Sequence, residues 1–117
     1  MLIGLEFYLT LIVMLLHLGF AIAEMFLWHR IGPRLLRTKK PEAVALTKPL
    51  AFNQGFYNLL VVAGLGWALF VGSEAIALAF LVFVILAGIV GWITVTFRIF
   101  LAQAVPAILA MIAILIC

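Results

Sequence analysis

Two long apolar runs, at about residues 5–28 and 50–71, flank a polar stretch rich in cations. A third apolar tract runs from Ala75 to Cys117 and is interrupted once, at Thr94-Val95-Thr96-Phe97-Arg98. A helix that crosses a bilayer needs about 20 predominantly apolar residues, so the last tract is long enough for two. The pattern therefore predicts four spanning helices, at about 5–28, 50–71, 75–95 and 98–116, with a short acidic turn at Gly72-Ser73-Glu74. The fold class expected is all-α: a four-helix transmembrane bundle forming a single domain over residues 1–117.

Composition removes the soluble alternatives. The chain is 69% apolar and 9% charged, with a mean hydropathy of +1.43, which leaves too little polar surface to coat a soluble globule. The net charge of +3 would ordinarily suggest an anionic partner. Here six of the seven Lys and Arg residues lie between His29 and Lys48, and the seventh is Arg98 at the predicted turn between helices three and four. Cations gathered between spans mark cytoplasmic loops, which predicts an N-out/C-out protein with a basic cytoplasmic loop between helices 1 and 2. Contact with anionic headgroups accounts for this charge, and no nucleic-acid partner is expected. Within the loop, Pro33 and Pro41 break the chain, leaving an amphipathic turn at Ile31 to Arg37 on the membrane surface. The single cysteine, Cys117, excludes an internal disulfide and a CxxC metal or redox site, so no metal is expected and no cofactor is indicated. Residues 1–23 could be read as a signal peptide, because Ala21-Ile22-Ala23 resembles a cleavage site. The absence of Lys and Arg before the apolar run, and His17 within it, argue against that reading.

Polar side chains at membrane depth are costly and usually face the bundle interior. At about 100° per residue, Glu6, His17 and Glu24 fall on one face of helix one, flanked by Thr10 and Trp28. Helix two opens with Asn53, Gln54, Tyr57 and Asn58, which cover an arc of about 140° near the same end of the bundle as Glu24, and in antiparallel helices Glu24 should meet Gln54 at a similar depth. Gln103 in helix four enters from that side too, and Pro106 after it frees a backbone carbonyl one turn earlier. One polar cluster is thus expected on the cytoplasmic side, with Glu24, Asn53, Gln54, Tyr57, Asn58 and Gln103 as ligand-binding candidates. His17 should lie about 10 Å deeper by helix rise. Amide and hydroxyl groups also glue membrane helices together, at about 0.6 kcal/mol each. Ala87-xxx-Gly91 and Gly64-xxx-Ala68 are read as ordinary close packing within the chain.

The string from His17 through Glu24-Met25-Phe26-Leu27-Trp28, then Asn53-Gln54-Gly55-Phe56-Tyr57-Asn58 and Gln103-Ala104-Val105-Pro106-Ala107, resembles a family of small four-span bacterial membrane proteins of unknown function. Some members of that family carry an epimerase label. The resemblance covers nearly the whole chain and implies a multi-pass protein of the bacterial inner (plasma) membrane. A looser likeness is to the MAPEG superfamily, which has four spans, a basic cytoplasmic loop and polar residues opening helix two. Its members are trimers with sites between subunits. The Glu-Arg pair that precedes the helix-two Asn in those proteins is absent from this chain.

Three functions are compatible with this pattern. The first is binding or transport of a small polar or amphiphilic molecule, a small-molecule or lipid ligand held by the Glu24 cluster, with a homo-oligomer required if the molecule is translocated. The second is a membrane-embedded enzyme, a transferase or isomerase, with Glu24 as acid or base and Tyr57 and His17 as further catalytic candidates. The third is a structural or accessory subunit whose polar layer only fixes packing.

Overall fold

The computed structural model describes residues 2–117. It contains five helices: α1 (Leu5–Phe26), α2 (Trp28–Leu36), α3 (Pro41–Val71), α4 (Glu74–Thr94) and α5 (Phe97–Ile116). No strand occurs among the described residues. Four of the helices, α1, α3, α4 and α5, are long and apolar enough to cross a membrane. The bundle is the predicted all-α fold, 48 Å along its longest axis.

The distribution of polar and apolar side chains is inverted relative to a soluble domain. Glu6, Thr10, His17 and Asn58 are buried, whereas Phe70, Leu46, Ile93 and Ile116 are each at least three-quarters exposed. With lipid outside, nothing drives large apolar side chains inward, while every polar group at depth needs an internal partner. The chain is thus an integral, multi-pass membrane protein whose helices meet bilayer on their outer faces.

Small residues let the backbones close up. Ala104, Ala107, Ala110 and Ala113 form the buried face of α5 together with Ile114. A Cβ on Gly88 would sit 2.8 Å from Ala104 Cβ, and one on Gly91 would strike Ile99, so α4 and α5 pack backbone to backbone. Gly64 receives the ring of Phe80, which sets the contact of α3 with α4 near the turn that joins them. Of the small-residue pairs read from the sequence, Gly64, Ala68 and Gly91 serve packing within the chain, whereas Ala87 is exposed. The core beside them is formed by Val13, Leu65, Leu81 and Val84, all essentially inaccessible. At the α3–α4 turn, Gly72 takes φ 72°, where a side chain would be strained, and Ser73 caps α4 by accepting from Ile76 N–H at 3.2 Å.

The segment expected to be a loop, 29–49, is mostly helical, and this corrects the predicted boundaries. Helix one ends at Phe26 rather than at residue 28. Leu27, at φ −119° and ψ 19°, breaks the helix, and Trp28 opens α2. The apolar pattern hides this break because Leu27 and Trp28 are themselves apolar. The amphipathic turn expected at Ile31 to Arg37 forms part of α2, which ends where Arg37 adopts a left-handed conformation. Helix α3 starts at Pro41, nine residues before the expected residue 50. Proline suits the first position of a helix, and Glu42 follows it in the first turn, where a carboxylate favours the helix N-terminus. Pro49 lies inside α3 without ending it. The backbone carbonyl that it deprives of a partner belongs to Ala45, on an exposed side of the helix where water or headgroups can satisfy it.

Helix α2 is held against the start of α3 by Trp28, whose Nε1 donates to Thr47 Oγ1 at 3.0 Å. The Trp28 ring lies over Gly32, where a Cβ would approach to 3.0 Å. This basic end of the bundle also carries Trp92, with ring centroids 4.7 Å from Phe97 and 5.1 Å from Phe100. Both ends of the described chain lie at the opposite, terminal end.

Candidate functional site

The buried positions of α1 are Glu6, Thr10, Val13, His17 and Ala21, which is the polar face read from the sequence, with Glu24 half-buried at its basic end. The stripe does not form one continuous polar line. The Glu6 carboxylate turns back to accept from Gly4 N–H at 3.2 Å and Ile3 N–H at 3.4 Å, capping its own helix. Thr10 donates to the Glu6 carbonyl at 2.7 Å. Between Thr10 and His17 stands Val13, packed in the apolar core with Leu65, Leu81 and Val84. A proton or water path along helix one is therefore closed at that layer.

His17 belongs to the other side of this plug. Its Nδ1 lies 2.8 Å from the Val13 carbonyl, which can only accept, so Nδ1 carries the proton. In the neutral ring Nε2 is then the acceptor. No buried side-chain nitrogen or oxygen among the described residues is without a partner, so Nε2 meets the adjoining cavity rather than a sealed wall.

That cavity has a volume of about 520 Å³ and lies between α3 and α4. Gln54, Tyr57, Asn58 and Val61 face it from α3, spaced as one helical stripe. Phe80, Phe83, Val84 and Ala87 face it from α4 with the same spacing, His17 closes it from α1, and Gln103 enters from α5. Because α3 and α4 are antiparallel, Ala87 lies near the depth of Gln54 and Tyr57, while Phe80 lies near that of Val61 and Gly64. The cavity is consequently polar toward the basic end and mainly apolar toward the terminal end, where His17 is the one polar group. Tyr57, Leu60 and Phe83 are also about half exposed on the outer surface, which places the mouth of the cavity between the two helices and facing the bilayer.

Glu24 takes part indirectly. Its Oε1 accepts a hydrogen bond of 2.5 Å from Asn58 Nδ2, so the polar partner of Glu24 is Asn58 rather than Gln54, which the expected depths pointed to. The helices can come close enough because position 55 is glycine: a Cβ there would lie 2.5 Å from Met25 Cγ and 3.0 Å from the Ala21 carbonyl. Of the expected ligand-binding set, Gln54, Tyr57, Asn58 and Gln103 are brought together around the cavity, and Glu24 joins through Asn58. Asn53 is not among them; it is exposed and about a quarter turn from the cavity face of α3. Among the three residues considered for acid–base chemistry, His17 and Tyr57 line the cavity and Glu24 does not.

Sequence reasoning missed the apolar half of the site. Leu60, Val61, Phe80, Phe83, Val84 and Ala87 look like any membrane-helix residues in one dimension. The i, i+3, i+4, i+7 spacing of Phe80, Phe83, Val84 and Ala87 on α4 was the available signal.

Comparison with known proteins places the chain at the level of a family. The model of a family described as protein of unknown function (DUF1304) matches residues 11–115, and the chain belongs to that family. No curated protein and no solved structure matches the chain.

Proposed function

We propose, for a chain whose family is one of unknown function, that the α3–α4 cavity binds a single-chain amphiphile with a neutral polar head, taken up sideways from the bilayer. The observation that carries this reading is the polarity gradient of the cavity wall: three amides and a phenol at the basic end, and mainly aliphatic and aromatic side chains toward Phe80, where His17 is the one polar group. A volume of about 520 Å³ suits a small ligand, and ligand pockets characteristically combine apolar walls with a few placed polar groups. No Lys, Arg, Asp or Glu lines the cavity, so a neutral head that donates and accepts hydrogen bonds matches Gln54, Asn58 and Gln103 better than a charged one. His17 Nε2 offers one further acceptor at the floor.

In this reading the protein lies N-out/C-out in a bacterial inner membrane, with the cation-rich end in the cytoplasm and the ligand head near the cytoplasmic leaflet. Glu24 is a positioning residue, fixing the rotamer of Asn58. Replacing Ala87 with Phe tests the reading, because the larger ring enters the mouth between α3 and α4. Protein purified in mild detergent should retain monoacylglycerol by native mass spectrometry, and Ala87→Phe should lose at least about tenfold of it, equivalent to about 1.4 kcal/mol. Equal retention by both proteins would contradict the assignment.

A further inference from the structure

A second cavity, of about 420 Å³, lies between α2 and the first turns of α3. Its walls include Trp28, His29, Pro33 and Val44, and its cationic lining is Lys39 and Lys48. Among the described residues no carboxylate lines it. Helix α3 has 31 residues, about 46 Å at the usual rise, whereas the hydrocarbon core is about 30 Å thick. The excess of about ten residues falls at the basic end, since at the other end α3 turns directly into α4 at Gly72-Ser73. The Pro41–Lys48 part of α3 therefore stands at headgroup depth, and α2 is fastened beside it by the Trp28–Thr47 hydrogen bond.

We propose that this cleft is a binding site for the phosphate of an anionic lipid headgroup, with Lys39 and Lys48 on the phosphate and the Trp28, Pro33 and Val44 surfaces against the glycerol and upper chain. Three observations converge on this ligand: cations without a lining carboxylate, apolar walls that a free ion in water would not need, and a depth that coincides with lipid phosphates. A general attraction of basic segments for anionic membrane would not single out these two lysines. Arg34 and Arg37 belong to the same basic segment, carry the same charge and do not line the cleft.

The test uses the full chain in nanodiscs of phosphatidylcholine with or without phosphatidylglycerol, reading lipid adducts by native mass spectrometry after release. The site predicts that phosphatidylglycerol is retained in preference to phosphatidylcholine, that Lys39→Gln with Lys48→Gln reduces its retention at least about tenfold, and that Arg34→Gln with Arg37→Gln changes it less than about twofold. All four positions are exposed, so these variants leave the packing of the bundle intact. Equal losses in the two double variants would mean diffuse charge attraction and would overturn the site. A second arm titrates inorganic phosphate into pure phosphatidylcholine nanodiscs and follows its 31P linewidth. Saturable broadening that needs Lys39 and Lys48, without phosphatidylglycerol preference, would assign the cleft to a free phosphate and overturn the lipid assignment; no broadening is expected.

Discussion

Glu24 on α1 and Asn58 on α3 join the two helices by a hydrogen bond across 34 residues of sequence, Asn58 donating through Nδ2 to the Glu24 carboxyl. The bond fixes the amide of Asn58, which is itself 5% exposed, at the wall of the cavity between α3 and α4. It thus connects the polar stripe of α1 to the site without placing Glu24 in the lining.

Substituting Glu24 separates positioning from gluing. In Glu24→Gln the side-chain carbonyl still accepts from Asn58, so the unfolding free energy should fall by less than about 1 kcal/mol, in line with an average of about 0.6 kcal/mol for hydrogen bonds between membrane helices. Glu24→Ala leaves Asn58 Nδ2 unpaired and should cost about 1–3 kcal/mol. If Glu24 acts by holding Asn58, amphiphile retention should survive in Glu24→Gln and drop in Glu24→Ala and Asn58→Ala. Retention that tracks stability alone across the three variants would reduce the pair to packing.

Glycine 55 offers a sharper packing test. Alanine in a helix gains about 0.8–1.0 kcal/mol over glycine, but at position 55 its methyl would meet the Ala21 carbonyl at 3.0 Å as well as Met25. Overpacking of this kind costs about 1–3 kcal/mol, and a backbone carbonyl cannot swing away. Gly55→Ala should therefore be net destabilising. Gly19→Ala, where nothing lies within 4 Å, should be neutral or stabilising. Reversible unfolding in mixed micelles measures both; a stabilising Gly55→Ala would show that α1 and α3 do not approach as described.

Span number and the inward face of α1 were legible because apolar length and helical periodicity act locally: Glu6, Thr10 and His17 are buried as their spacing requires. The partner of Glu24 was not. Matching depths by counting from helix ends pointed to Gln54, but α3 starts at Pro41 and its register on α1 is set by the close approach at Gly55, a three-dimensional quantity. Asn53 belonged to the expected set on arc alone, and a quarter turn of helix is enough to remove it from the cavity. The breaks of the 29–49 segment were assigned to Pro33 and Pro41, yet both lie in helices, Pro41 at a position where proline starts one.

Orientation is testable through the sequence's one cysteine. In N-out/C-out topology Cys117 lies outside and Lys40 inside. A membrane-impermeant maleimide should label Cys117 on intact cells and should not label a cysteine at position 40 in Lys40→Cys with Cys117→Ser; the converse pattern would reverse the topology. Desolvation, together with the carboxylates of Glu6 and Glu74, pushes the Cys117 thiol above its ordinary pKa. Less thiolate is then present at neutral pH, so labelling should be slow at pH 7 and accelerate as pH rises. Glu6→Gln removes one opposing charge, lowers the thiol pKa and should speed labelling at pH 7.

Photocrosslinking with a diazirine-bearing monoacylglycerol locates the amphiphile chain proposed to lie between α3 and α4. Reconstituted protein irradiated with this probe and analysed by peptide mass spectrometry should carry adducts concentrated on Leu60, Val61, Phe80 and Phe83, and these should disappear in Ala87→Phe. Adducts spread evenly over lipid-facing residues such as Tyr8, Phe70 and Leu109, unchanged by Ala87→Phe, would contradict the account.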